Sequence, residues 1–231
     1  MALSHGPPIV TNGLVLCLDA ADRNSYPGSG MTWTDLSGNG NNGTLTNGPT
    51  YSSVNGGSIV FDGVDDYVNF SFTNPFAETV IVWAKSSTST WNQFGWISSS
   101  RRQNGHIIHP ETSEFGGNPK QVAFYMLSSS ASATAIASVI PSDITVPHMY
   151  AYTTNGSNSH KGYFDGQLVG ESTTSITRTT TPSSQVWYVG RDDFGSRYGN
   201  GSVYNVTRYN RALTDTEIQQ NFNALRGRFN I

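Results

Sequence analysis

The chain has 231 residues, a formal net charge of −3 and only 13% charged residues, while 24 residues are glycine. Abundant Gly, Asn, Ser and Thr suit short strands joined by turns and exclude a helical bundle, because Gly and Asn supply positive φ and Thr fits a pleated surface. The 13 lysines and arginines form no basic stripe, so we expect no nucleic-acid partner.

Residues 1–12 form a polar, proline-containing N-terminal extension. No basic segment precedes its apolar stretch, and no apolar run in the chain reaches the roughly 18 residues of a membrane-spanning helix. We therefore expect neither a secretory signal nor a membrane anchor. The extension is interpreted as either a docking segment or a disordered start. Residues 13–231 are predicted to form one domain, because sandwiches of roughly 200–250 residues commonly form a single unit.

Short apolar runs bounded by Gly, Pro, Asn and Ser predict thirteen strands. Cys17 lies in the first run and is expected to be a buried, inert thiol. The run at 79–85 is apolar on both faces, which predicts a central strand. Asp165 and Gly166 are expected to form a two-residue hairpin turn. The predicted strands are 14–19, 58–61, 67–72, 79–85, 94–98, 105–109, 121–127, 135–140, 149–153, 161–164, 167–171, 185–189 and 203–209.

One helix is predicted, near the C-terminus. Thr214 and Glu217 have the spacing of a capping box, in which each side chain binds a free backbone N–H of the first turn. Ile218, Phe222 and Leu225 follow at helical spacing and form an apolar stripe that must pack on a sheet. One helix after thirteen strands leaves two sheets to bury each other. The sequence therefore predicts an all-β fold, a two-sheet antiparallel jelly-roll sandwich with a short C-terminal helix.

Five dispersed segments carry a resemblance to a known family. They are WTDLSGNGNNGTL at 33–45, IVFDGVDDYV at 59–68, YFDGQLV at 163–169, YVGR at 188–191 and YNRALTDTEI at 209–218. In this order they resemble the laminin-G-like modules of the concanavalin A-like lectin/glucanase superfamily, as found in bacterial and phage surface proteins. The resemblance spans about residues 13–228. It implies a jelly roll that binds glycans or proteins at edge loops or in its concave face.

The resemblance also implies that calcium is the cofactor to consider. Family members commonly hold a structural calcium with acidic residues just before the last motif, but Tyr204 and Asn205 occupy those positions here and carry no charge. Calcium prefers about six to eight oxygen ligands, including carboxylates. The remaining metal candidates are Asp62, Asp65 and Asp66 in the second motif. The alternative is that these residues cap a tight turn through their own backbone.

No catalytic motif is present. Laminarinase-type hydrolases share the superfamily's fold and need two carboxylates about 5 Å apart, usually from a Glu-x-Asp-x-(x)-Glu strand. The glutamates are Glu78, Glu111, Glu114, Glu171 and Glu217. None of them has this pattern, and neither Gly-x-Ser-x-Gly nor His-Glu-x-x-His occurs. His106 and His109 are expected to be turn or surface residues, not zinc ligands. We therefore expect a protein that is not an enzyme.

Aromatic and polar side chains in Gly- and Ser-rich loops are the candidate binding site. A sugar ring stacks its apolar C–H face on Trp or Tyr, while polar side chains bind its hydroxyl groups. Trp83 and Trp187 lie within apolar strands and are assigned to the core, and Trp33 is expected to pack under the Asn- and Gly-rich loop. The candidate carbohydrate-binding residues are Trp91, Trp96, Arg101, Asp192, Asp193 and Tyr198.

Three functions are open at this point. The first is a virion surface protein of a tailed phage, a capsid decoration or a tail-fibre or appendage module, since 26–40 and 221–229 resemble the phage-encoded branch of the family. Other virion proteins and host-surface polysaccharide are its expected partners, and a homo-oligomer is compatible with it. The lack of disulfides fits synthesis in host cytoplasm. The second is a free-standing carbohydrate-binding lectin, and the third is a laminarinase-type glycoside hydrolase.

Overall fold

The computed structural model describes residues 6–73, 76–92, 97–99, 105–110, 117–128, 133–177, 184–192 and 197–231. Within these ranges the chain forms sixteen strands, one α-helix and two short 3₁₀ helices. The elements are β1 Leu14–Asp19, β2 Thr32–Trp33, β3 Gly43–Thr46, β4 Thr50–Ser52, a 3₁₀ helix Val54–Gly56, β5 Ser58–Asp62, β6 Tyr67–Thr73, β7 Glu78–Ser86, β8 Ser98–Ser99, β9 His106–Pro110, β10 Val122–Leu127, β11 Ala133–Val139, β12 His148–Thr154, β13 His160–Phe164, β14 Gln167–Ser172, β15 Ser184–Val189, β16 Asn200–Tyr209, α1 Asp215–Leu225 and a 3₁₀ helix Arg226–Arg228.

The strands form two antiparallel sheets of eight strands each. Sheet A has the order β14-β13-β12-β7-β16-β5-β4, with β1 also paired to β16. Sheet B has the order β11-β10-β9-β8-β15-β6-β3-β2. The prediction of an all-β, two-sheet sandwich with a C-terminal helix is confirmed.

Twelve predicted strands lie within three residues of their observed bounds, and three observed strands were missed. The missed strands β2, β3 and β4 have two to four residues each. Such short, Thr-rich segments show no apolar run, and only pairing with longer neighbours makes them strands. The predicted strand 94–98 meets the described β8 at residue 98, and its residues 94–96 lie outside the described ranges.

Strand β7 is central in sheet A, as its sequence predicts. It pairs with β12 on one side and β16 on the other. Val80 and Val82 lie in the core between the sheets, whereas Ile81 and Trp83 lie in a second apolar cluster on the outer face of sheet A. Side chains alternate along a strand, so a strand that is apolar at every position must be covered on both faces.

Helix α1 provides the cover on the outer face of sheet A. Its predicted capping box is present: Glu217 N donates to Thr214 Oγ1 at 3.3 Å, and Thr214 N donates to Glu217 Oε2 at 2.9 Å. The ring of Phe222 stacks on Trp83 with centroids 5.7 Å apart. The described part of the chain includes no helix with both the length and the hydropathy needed to cross a membrane.

The extension at residues 6–12 packs against helix α1 and the end of β16. The backbone N–H of Val10 donates to Asn221 Oδ1 at 2.8 Å, and Tyr209 OH donates to the carbonyl of Val10 at 2.9 Å. Val10 is buried in the same cluster as Trp83. This part of the extension therefore docks on its own chain.

Local sequence signals that involve few residues agree with the structure. Asp165 and Gly166 have φ of 47° and 79°, and the flanking Phe164 and Gln167 are paired, which is the predicted two-residue hairpin. Cys17 is buried, and this burial raises the pKa of its thiol to about 12, so the thiol is unreactive at neutral pH.

The prediction for His106 and His109 is wrong, because both side chains are buried within β9. His106 Nε2 accepts a hydrogen bond from Trp187 Nε1 at 2.9 Å. The ring of His109 stacks on Tyr125 at a centroid distance of 5.3 Å. The error arises because burial of a polar strand residue depends on the strand and side chains placed across from it, which the local sequence does not specify.

Candidate functional site

Three tyrosines surround an arginine on the outer face of sheet B. The Arg191 guanidinium carbon lies 4.7 Å from the ring centroid of Tyr67, 5.1 Å from that of Tyr188 and 5.5 Å from that of Tyr198. All four side chains are partly exposed to solvent. We call these four residues the tyrosine patch.

The register of sheet B brings two of these tyrosines to the surface. Strands β6 and β15 are antiparallel neighbours, with Val68 opposite Val189. Both valines are fully buried between the sheets. Because adjacent side chains on a strand point to opposite faces, Tyr67 and Tyr188 project to the outer face. Their rings meet edge to face, with centroids 5.7 Å apart.

A short ribbon after β15 supplies the other two residues of the tyrosine patch. Arg191 and Tyr198 form an antiparallel bridge, and Gly199 N donates to the carbonyl of Gly190 at 2.8 Å. Gly190 has φ of 79°, and a Cβ there would lie 3.0 Å from the ring of Phe61. A glycine is therefore needed where the chain leaves the sheet, and this turn places Arg191 beside the rings.

The positive charge of Arg191 has no carboxylate partner among the described residues. The ion pairs found there involve other side chains. Arg191 Nε donates to the backbone carbonyl of Asp192 at 3.1 Å. The carboxylate of Asp192 is fully buried and pairs with Arg197 at 3.3 Å. Stacking on the tyrosines and one backbone contact thus hold the guanidinium in place without neutralising it.

Three carboxylates converge in the turn between β5 and β6, which we call the acidic turn. Ligand atoms of Asp62, Asp65 and Asp66 all lie within 4.8 Å of one another. Asp62 Oδ1 accepts from the N–H of Val64 at 2.8 Å, and Asp66 Oδ2 accepts from the N–H of Asp62 at 3.1 Å. These residues therefore cap their turn. Burial, and then the charges of Asp62 and Asp65, raise the pKa of Asp66, while its bond from Asp62 N lowers it.

The acidic turn has donors of the type that calcium binds. Its oxygens are all carboxylate oxygens, which hard divalent cations prefer. The carboxylate of Asp65 accepts no hydrogen bond from the described residues. Burial raises the pKa of Asp66 most, and the charges of Asp62 and Asp65 raise it further, so a bound cation would favour the ionised carboxylate. The residues fit such a cation. They would hold it at the edge of sheet B, one residue before Tyr67.

The position where the resemblance places a calcium does not fit a metal. Asn205 is buried there, and its Nδ2 lies 3.4 Å from Asp19 Oδ2. The guanidinium of Arg228 occupies the space beside them, with Nη1 at 2.8 Å from Asp19 Oδ1 and further bonds to the carbonyls of Asn55 and Gly57. An arginine therefore supplies the positive charge at this position.

The structure buries Trp91, which the sequence placed at a sugar-binding surface. The side chain is 8% exposed and packs in the core, with its ring 6.5 Å from that of Tyr150. The following Asn92 explains why, since its Nδ2 donates to the carbonyl of Tyr198 at 2.5 Å and its Oδ1 accepts from Asn200 N at 3.1 Å. This segment is drawn inward beneath the ribbon. Trp91 supports the ribbon and offers no open ring face.

The other predicted carbohydrate-binding residues have different outcomes. Tyr198 lies in the tyrosine patch, and Asp192 lies beneath it as the buried partner of Arg197. Trp96, Arg101 and Asp193 lie outside the described residues. Sequence reasoning missed Tyr67, Tyr188 and Arg191. The alternation of Tyr67-Val-Asn-Phe70 and Trp187-Tyr-Val189 contains the signal for the two tyrosines, because it puts a tyrosine on the face opposite the core.

A family model described as the concanavalin A-like lectin/glucanases superfamily matches residues 61–219 of the chain. The chain belongs to this superfamily. The match includes the acidic turn, the tyrosine patch and the start of helix α1. Comparison with curated proteins finds no match.

Solved structures with the same fold include bacterial toxin domains and a parasite enzyme. The binding domain of botulinum neurotoxin serotype D aligns with a TM-score of 0.64 at 12% identity over 92% of this chain and 52% of that one. The binding domain of Paraclostridial Mosquitocidal Protein 1 gives 0.67 at 13% identity over 93% and 52%. Trypanosoma rangeli sialidase in complex with sialic acid gives 0.66 at 16% identity over 97% and 36%. The chain thus spans about half of each toxin domain and about a third of the sialidase, and the likeness is one of fold.

On this superfamily scaffold the tyrosine patch combines two binding capacities. Its rings present apolar faces of the kind that stack on sugar C–H groups. Its guanidinium carries several N–H donors in a planar fork, which bind hydroxyl, carboxylate or sulfate oxygens. The described residues hold no comparable exposed combination of rings and an unpaired cation.

Proposed function

We propose that the chain is a non-catalytic carbohydrate-binding module and that the tyrosine patch is its saccharide site. One observation carries this proposal: three partly exposed tyrosine rings, contributed by β6, β15 and the ribbon, lie within 5.5 Å of the guanidinium carbon of Arg191. Exposed aromatic faces next to convergent polar groups are the chemistry that sugar rings and their hydroxyl groups require.

Two described glutamates are bound by arginines of the fold, which supports binding without hydrolysis. Glu78 is fully buried against Arg208, and Glu217 is bound by Arg211 at the start of helix α1. Neither is placed to act on a glycosidic bond, which needs a carboxylic acid and a second carboxylate on either side of it. The acidic turn uses carboxylate oxygens to cap its own backbone. We expect that the chain releases no reducing sugar from β-glucans. If it does release reducing sugar and Asp66→Asn abolishes the release, the proposal that the module is non-catalytic is refuted.

The saccharide site is tested by glycan-array binding and calorimetry with Tyr67→Ala and Tyr188→Ala. Each variant removes a stacking surface, so we expect at least about a fivefold loss of affinity for any glycan that the unmodified chain binds. Tyr51→Ala is the matched control, because Tyr51 is also partly buried and packs on a second tyrosine, Tyr26, at 5.7 Å. Equal losses in the patch and control variants, or no glycan bound by the unmodified chain, would contradict the proposal.

We also propose that this module is displayed on the virion of a tailed phage, as a capsid decoration or part of a tail fibre. The support is the resemblance of residues 26–40 and 221–229 to phage-encoded modules. Host-surface polysaccharide is then its ligand, with virion proteins and copies of the chain as neighbours. Mass spectrometry of purified particles tests this location. Absence from particles would favour a free-standing lectin and would leave the saccharide site to be judged by its own experiment.

A further inference from the structure

We propose that the tyrosine patch selects acidic saccharides, and that Arg191 binds the carboxylate or sulfate group of the ligand. This inference rests on the proposed function, since it names the class of saccharide for the same site. It concerns one residue whose charge has no carboxylate partner within the part of the chain that the structure describes.

The first argument is the hydrogen-bonding capacity of Arg191. Within the described residues only its Nε donates, to the carbonyl of Asp192 at 3.1 Å. The Nη groups therefore have no acceptor there, although an arginine fork matches the two oxygens of a carboxylate or the oxygens of a sulfate. A neutral sugar can accept single hydrogen bonds from this fork, but only an anion uses both its geometry and its charge.

The second argument is that the guanidinium is held in place before a ligand arrives. Tyr67, Tyr188 and Tyr198 lie around it, and contacts between a guanidinium and aromatic faces are attractive. The antiparallel bridge between Arg191 and Tyr198 fixes its backbone. A side chain restrained in this way loses less conformational freedom on binding than a free surface arginine does.

The third argument is the contrast with the other arginines that the structure describes as half-buried or buried. Arg197, Arg208 and Arg211 each pair with a carboxylate, and Arg228 pairs with Asp19. These pairs serve the fold. Arg191 is ordered by rings, which attract a cation without cancelling its charge.

The acidic turn is the negative group to weigh against this inference. It ends one residue before Tyr67, and its carboxylates bind N–H groups of the turn. Its negative charge repels an anionic ligand and so weakens anion binding nearby, but its carboxylates form no ion pair with the Arg191 guanidinium. Binding is therefore measured both in calcium and in EDTA, so that the contribution of the turn is separated from that of Arg191.

The experiment compares ligands that share one neutral parent. Isothermal titration is carried out with lactose, sialyllactose and sulfated lactose, where the last two carry a carboxylate and a sulfate respectively. We expect at least one acidic form to bind about tenfold or more tightly than lactose. Arg191→Gln should remove this preference, because it weakens the binding of the acidic forms about tenfold more than it weakens the binding of lactose. Arg191→Lys keeps the charge without the fork and should fall between the two.

Arg226→Gln is the matched control, because the Arg226 guanidinium also lies over a ring, 5.7 Å from the centroid of Phe222, on the other sheet. Equal affinity for lactose and both acidic forms would overturn the inference and leave saccharide recognition standing. Failure to bind any glycan would refute both. If Arg191→Gln does not fold, the inference is tested with Arg191→Lys and with the salt dependence of binding by the unmodified chain. Affinity for the acidic ligands that changes neither with the Lys substitution nor with salt would overturn the role of Arg191.

Discussion

Arg228 and Arg191 carry the same charged group but have different neighbours: Arg228 pairs with a carboxylate, and Arg191 lies among aromatic rings. Arg228 lies between the carboxylate of Asp19 and the carbonyls of Asn55 and Gly57, and it is 14% exposed. Its position joins the C-terminal 3₁₀ helix to the end of β1 and to the loop before β5. Among the described residues, the Arg191 side chain contacts the three tyrosine rings and a single carbonyl. We therefore assign Arg228 to the stability of the fold and Arg191 to a ligand.

Arg228→Ala is expected to lower the free energy of unfolding by about 2 kcal/mol, because it leaves the largely buried Asp19 carboxylate without its counter-charge and removes a donor from two carbonyls. Urea denaturation measures this loss. Arg226→Ala, two residues away at an exposed position, should change stability by less than about 0.5 kcal/mol. A similar effect of both substitutions would mean that Arg228 contributes through helix propensity or net charge instead of these bonds.

At the scale of elements, local signals predict local structure well. The capping box of Thr214 and Glu217 and the turn of Asp165 and Gly166 each depend on residues at most three apart, and both are present. The acidic turn was also predictable as a turn, since Asp62 accepts from the backbone two residues ahead. Its second property, the raised pKa of Asp66, arises first from burial against the sheet. No local motif encodes that burial.

Asp66→Asn is expected to raise the free energy of unfolding at pH 7 in EDTA. A carboxyl whose pKa is raised on folding is penalised when ionised, so its cost is present above the folded pKa and disappears below the ordinary value of 3.8. The gain from Asn should shrink as the pH falls and vanish below that value. Urea titrations across this range measure it, and a gain that does not depend on pH would contradict the assignment to Asp66.

In calcium, the unmodified chain is expected to become more stable than Asp66→Asn. A bound cation favours the ionised carboxylate and stabilises the folded state by mass action. The melting temperature of the unmodified chain should rise with calcium and return with chelator, whereas that of Asp66→Asn should change less. Asp143→Asn is a control at an exposed carboxylate outside the acidic turn. A melting temperature of the unmodified chain that calcium does not alter would leave the turn with its capping role alone.

At the scale of the whole molecule, the site is the least predictable feature. Tyr67 and Tyr188 are adjacent only because β6 and β15 are neighbours in sheet B. Alternation indicates which residues face outward, but the order of strands in a sheet follows from long-range packing. The same reason explains Trp91, whose burial depends on contacts with the described ends of the ribbon, residues 190–192 and 197–199. Sequence reasoning therefore found the fold and the edge of the sandwich but only one member of the tyrosine patch.

The ion pair of Glu78 and Arg208 lies within sheet A and faces the core that the two sheets share. Both side chains are fully buried in sheet A, and the Arg208 guanidinium lies 5.1 Å from the Trp187 ring of sheet B. Tyr152 OH lies 3.5 Å from Glu78 Oε1. A buried charge is stable only with its counter-charge, so the two residues must act as a unit.

Glu78→Gln is therefore expected to lower the free energy of unfolding by about 3 kcal/mol or more, since it leaves the positive charge of Arg208 in the core. The double variant Glu78→Gln with Arg208→Met removes both charges and fills similar volume, so it should recover at least about half of that loss. Guanidinium-induced unfolding of the single and double variants measures the coupling. Strictly additive losses would mean that the two charges contribute independently, and that the fold does not depend on their pairing within sheet A.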